Sequence, residues 1–133
     1  MMDEFNSIYI FYEMLNNSYY LLFGYFGVAY IFIVCSYVIG EKLESSLVPI
    51  FVGLYTVITL TLIAVIETIR MDCERLYGFI LNEVEMGNFQ NIAWFGSVSI
   101  EAFSVGSHMQ RALLISALIG SLFFFYRMRT RVR

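Results

Sequence analysis

Long uncharged apolar runs alternate along this chain with short polar joints. Residues 18–39 hold no Asp, Glu, Lys, Arg or His, and residues 47–66 form a second such run. At about 1.5 Å of rise per helical residue, each can cross a hydrocarbon core about 30 Å thick. Tyr19, Tyr20 and Tyr37 stand near the ends of the first run, where aromatic rings settle at a membrane interface. The third run, 112–126, is shorter and is bracketed by Arg111 and Arg127. Both arginines can extend their alkyl stems toward headgroups, and Met109, Gln110 and Met128 can lengthen the helix to 109–128. The expected fold class is an all-α integral membrane protein: one membrane domain over 1–133, with three transmembrane helices.

The joints carry patterns of their own. In residues 3–17, Phe5, Ile8, Tyr9, Tyr12 and Leu15 recur on one helical face, with Asp3, Asn6 and Glu13 elsewhere. This predicts an amphipathic helix lying in the headgroup region. Residues 40–46 (GEKLESS) read as a polar turn that sets the first two runs antiparallel, with Ser45 or Ser46 placed to cap the next helix. Pro49 falls in the first turn of that helix, where its missing N–H has no intrahelical partner anyway.

The second helix signal continues past Ile66 to about residue 86. Ile69, Cys73, Leu76, Ile80 and Val84 keep one apolar face, while Glu67, Arg70, Glu74 and Asn82 fall on the other side. Arg70 and Glu74, four apart with opposite charge, suit an exposed surface. The helix is therefore expected to project several turns beyond the membrane, with an apolar stripe that needs a partner: another copy or another subunit. Gly87 and Asn88 end it.

Residues 89–106 are ambiguous. As a helix they gather Ser97, Glu101 and Ser104 into a narrow polar strip, which predicts an interfacial or re-entrant segment. Residues 96–105 also alternate partly like a strand, and a crossing here would raise the spans to four. In the third run Ala112, Ser116 and Gly120 repeat every four residues, with Ala117 and Ser121 alongside. Such small-residue spacing lets helices approach closely in lipid.

Composition agrees with the pattern. The 133 residues are 59% hydrophobic, 18% aromatic and 14% charged, whereas a soluble domain is about 25% charged. The net charge of −3 hides an asymmetry. The N-terminus carries Asp3, Glu4 and Glu13 without a Lys or Arg, while Arg127, Arg129, Arg131 and Arg133 crowd the C-terminal tail at 127–133. Positive residues favour the cytoplasmic side. The expected topology in an inner or plasma membrane is N-terminus outside and C-terminus cytoplasmic. The tail arginines then act as a topology anchor and as contacts for anionic lipid headgroups. No nucleic-acid partner is expected.

Candidate chemistry is sparse. His108, the only histidine, could group with Glu101 and Arg111 as a polar site near the outer interface. The three runs contain no ionisable Asp, Glu, Lys, Arg or His, which disfavours proton-coupled transport. Thr56, Thr59 and Thr61 are expected to bond their own backbone. Two cysteines and one histidine do not make a standard zinc site. No phosphate-binding loop, metalloprotease motif or nucleophile elbow is present. Neither catalysis, a metal nor a cofactor is expected.

The expected function is that of a small non-enzymatic membrane subunit assembling with other transmembrane helices, as a homo-oligomer or in a larger complex. Its surfaces would be the Ala112, Ser116, Gly120 face with Ala117 and Ser121, and the projecting stripe. The layout, with three spans, an outside N-terminus and an arginine-rich inner tail, resembles that of three-span phage holins, without a shared motif. That resemblance implies a homo-oligomeric pore. A channel or transporter component built on Glu101, His108 and Arg111 is a further alternative.

Overall fold

The computed structural model describes residues 3–91 and 100–131, with the side chains of residues 100 and 101 left out. It contains three helices: α1 (Glu4–Ile39), α2 (Val48–Glu85) and α3 (Ile100–Arg129). Among the described residues there is no strand. Each helix is long and apolar enough to cross a membrane.

α1 begins where the Asp3 side chain accepts from the Asn6 backbone N–H at 2.7 Å, satisfying one of the donors that every helix start leaves open. It then runs unbroken to Ile39. The separate interfacial helix expected at 3–17 is not supported. No Gly or Pro interrupts residues 4–23, and the early turns are held by packing rather than left on a membrane surface. Phe5, Tyr9 and Tyr12 point outward, while Ser7 and Phe11 are buried.

What they pack against is the C-terminal half of α2. Phe11 clusters with Cys73, Leu76, Tyr77, Ile80 and Phe89, and Ile8, Met14 and Leu15 close around them with Ile69 and Val84. The apolar stripe of α2 thus has a partner within its own chain: α1 covers it. Burying such a stripe against a neighbour is what stabilises a helix that propensity alone would leave marginal.

The turn between α1 and α2 differs from expectation in one detail. The N-cap of α2 is Leu47, with no side-chain cap bond, and Pro49 sits in the first turn. Ser45 instead accepts from Arg129. Gly40 is fixed by close approach: a Cβ there would collide with the Ser36 carbonyl oxygen and stand 3.3 Å from Met128 Cβ. At the far end of α2, Gly87 takes a left-handed conformation, φ 79°, the usual way of ending a helix. Asn88 and Phe89 then donate backbone N–H groups to the Glu83 carbonyl.

Buried positions recur at three- and four-residue intervals, as in Phe32 and Ser36 on α1, Tyr55 and Thr59 on α2, and Ser121 and Phe125 on α3. This is the spacing of near-parallel helices packed side by side. Within the apolar runs the core has two layers. Tyr25, Ile66 and Leu114 form one, with the Tyr25 hydroxyl donating to the Leu114 carbonyl. Phe32, Tyr55 and Phe125 form the other, with the rings of Phe32 and Tyr55 stacked at 3.7 Å. Tyr55 also shares a hydrogen bond of 2.6 Å with Ser121. Thr56, Thr59 and Thr61 donate to carbonyls four residues back, so these hydroxyls are satisfied within α2.

Candidate functional site

The charged residues of the bundle gather where the apolar runs stop. One turn past Ile66, the helical period swings Arg70 toward α3 rather than toward solvent. Its side chain is only 6% exposed. Nη1 donates to the Ser107 carbonyl of α3 and Nη2 to the Glu67 carboxylate. Glu67 also receives Arg111 across the helix interface, from Nε at 3.1 Å and Nη2 at 3.0 Å. This forked contact is the geometry that matches guanidinium to carboxylate.

One carboxylate therefore serves two guanidiniums, one buried and one half-exposed. A buried charge is tolerated only when paired and hydrogen-bonded, so Glu67 is what permits Arg70 inside the bundle. The pairing anticipated between Arg70 and Glu74 on an exposed face does not form; Arg70 turns inward to Glu67 instead. Arg75 pairs with Asp72 at 3.8 Å on the open surface.

Of the residues singled out from sequence, Arg111 lies in this network. His108 stands beside it, with Nδ1 3.5 Å from Arg111 Nη1. The side chain of Glu101 lies outside the described residues. Glu67 and Arg70 were not anticipated as members. The available signal was their position: the first ionisable residues to follow the uncharged run of α2.

Cys73, one turn further along α2, is 1% exposed. Burial, with Asp72 nearby adding a smaller effect, pushes its thiol up to about 11. It is a structural apolar group rather than a nucleophile. Among the described residues, no cluster of His, Cys, Asp and Glu could hold a metal ion.

The small-residue positions of α3 divide. Ala117 packs against the Tyr25, Ile66, Leu114 layer, and Ser121 is buried against Tyr55. Ala112, Ser116 and Gly120 face outward, and a Cβ added at Gly120 would meet nothing within 4 Å. Around them Leu113, Ile119 and Phe123 are exposed. The expected face is thus two faces, one used inside the bundle and one open.

At the opposite end of the molecule the tail arginines hold the α1–α2 turn. Arg129 Nη1 donates to the carbonyls of Gly40 and Leu43, and Nη2 donates to Ser45 Oγ at 3.1 Å. Arg131 pairs with Glu41 at 3.4 Å and lies over the Tyr37 ring. Arg129 on the Gly40 carbonyl satisfies the C-cap of α1 and sets a positive charge at that helix end. Arg127 is exposed, and Arg133 lies outside the described residues.

No protein-family model, curated protein or solved structure matches this chain.

Proposed function

We propose that this protein is a small non-enzymatic membrane subunit that works by helix–helix assembly in the bilayer, as a homo-oligomer or within a larger complex. The observation that carries this reading is the outward face of Ala112, Ser116 and Gly120. Small residues at four-residue spacing allow a second helix to come close enough for backbone contact, which is what drives association where lipid tails remove the hydrophobic advantage. The projecting stripe of α2 is already covered by α1, so it leaves the α3 face as the assembly surface.

The proposed orientation is N-terminus outside and C-terminus cytoplasmic, in an inner or plasma membrane. It rests on the arginines at the turn end and the acidic N-terminal residues at the other. Arg127, exposed beside the turn, is available to anionic headgroups.

The test is Gly120→Leu, read as oligomer or complex size in mild detergent, with Ile119→Leu as the matched control. Loss of the larger species with Gly120→Leu alone supports assembly through this face; unchanged size in both variants ends the reading. Each bundle is filled by Tyr25, Phe32, Tyr55, Leu114 and Phe125, so a pore could open only between copies. Dye release from vesicles carrying the protein separates a pore from a silent subunit.

A further inference from the structure

A cavity of about 350 Å³ lies between α1 and α3, floored by α2. Leu15, Leu22 and Phe103 give it apolar walls, Tyr19 and Gly106 stand at its sides, and Arg70 lines its polar end. Two of the three nitrogens of the Arg70 guanidinium are engaged, by Ser107 and Glu67. The third, Nε, is buried and has no acceptor. A buried donor without a partner is rare in folded proteins and calls for an explanation.

Ser18, Ser107 and Gln110 line the cavity together with Arg70, so a polar ligand group has several partners there beside the apolar walls. The cavity also lies at a particular level. Its α1 wall, Leu15 to Leu22, straddles the start of the uncharged run at Ser18, and Arg70 is one turn past the end of the uncharged run of α2. In a bilayer that level is where headgroups meet acyl chains. The surrounding charge is mixed: Arg70 and Arg111 share Glu67, and Glu74 is one turn further along α2.

We propose that the cavity binds the headgroup end of an anionic phospholipid. A phosphate oxygen accepts from Arg70 Nε after a small turn of that side chain toward the space it lines, the upper acyl chain descends past Leu22, and Leu15 and Phe103 flank the headgroup end. Glu67 stays on Nη2, so the guanidinium bridges a fixed carboxylate and the lipid. The inference rests on the chain spanning a bilayer but not on its assembly, so Gly120→Leu leaves lipid retention unchanged.

The experiment is lipid retention by the purified full chain in detergent micelles doped with phosphatidylglycerol or with phosphatidylcholine, read by native mass spectrometry. The wild type is expected to keep phosphatidylglycerol at least tenfold better than phosphatidylcholine. Gly106→Leu puts bulk into the cavity wall while leaving the Arg70 side chain itself unchanged, and a Cβ at Gly106 meets nothing within 4 Å. It is expected to abolish that preference while keeping the fold. Arg70→Gln is expected to do the same; if it fails to fold, Gly106→Leu decides. Equal retention of the two lipids by the wild type, or an undiminished preference in Gly106→Leu, overturns the proposal. Binding of inorganic phosphate without any preference for phosphatidylglycerol overturns it too, because the site would then hold a free anion.

Discussion

Glu67 and Arg111, 44 residues apart in sequence, meet through two hydrogen bonds of 3.1 and 3.0 Å. They join α2 to α3 at the level where the uncharged runs end. The same carboxylate is the counterion of buried Arg70. Removing it strands one charge inside the bundle and another at its edge. Glu67→Gln is therefore expected to destabilise the protein by about 3–5 kcal/mol, the range for breaking a buried pair. Arg111→Gln should cost clearly less, since Arg111 is 42% exposed and can be replaced at Glu67 by Arg70 alone. Thermal unfolding in detergent ranks the two; equal losses would mean that Glu67 is not holding Arg70.

The Tyr55–Ser121 hydrogen bond lies inside the apolar runs and is isolated enough for a double-mutant cycle. Ser121 also donates to the Leu118 carbonyl, so Tyr55→Phe leaves it satisfied. The coupling energy with Ser121→Ala should be about 1 kcal/mol or less, as for other hydrogen bonds between membrane helices. A coupling several times larger would show that the ring stack on Phe32 depends on this hydroxyl.

Cys73 offers a chemical probe of the α1–α2 contact. With its thiol near 11 and the side chain sealed, thiolate is scarce at pH 8, and maleimide labelling should be slow until the protein is unfolded. The thiol binds its proton more tightly in the folded state than at the ordinary value of 9.0. Its stabilising contribution is thus complete below pH 9 and is lost as pH rises toward 11. Rapid labelling of native protein at pH 8 would show that the N-terminal half of α1 lifts away from α2.

The two ends of the arginine tail should behave differently. Arg129→Gln removes three hydrogen bonds to the turn, whereas exposed Arg127 makes none there. Arg129→Gln is expected to lower the unfolding temperature by several degrees and to open residues 40–46 to protease, with Arg127→Gln near wild type. The reverse order would assign the tail to lipid contact alone.

Much of the architecture is legible in the residue pattern, because an uncharged apolar run, a proline in a first turn and a glycine at a helix end each act locally. The extension of α2 to Glu85 follows from the spacing of Ile69, Cys73, Leu76 and Ile80. Three features were hidden for a common reason. The continuity of α1 depends on Phe11 meeting Tyr77, the burial of Arg70 on Ser107 and Glu67, and the grip of Arg129 on a turn formed far earlier in the chain. Each needs a contact between distant residues, for Arg70 the Ser107 carbonyl 37 residues on. The inward face of α1 is not marked by large apolar residues alone: Ser7, Ser18 and Ser36 sit in the core, where small residues let helices approach closely. The more conspicuous stripe of Phe5, Tyr9 and Tyr12 faces out.

That α1 and α2 continue past their uncharged runs without a joint has a mechanical consequence. Each has about 20–30 Å of helix beyond its uncharged run, at 1.5 Å per residue, and the two are glued together along that length. The molecule is a stiff mast rather than a raft with a loose fringe. In the membrane orientation proposed above, any change in helix tilt swings the tip around Gly87 and Phe89 sideways in proportion.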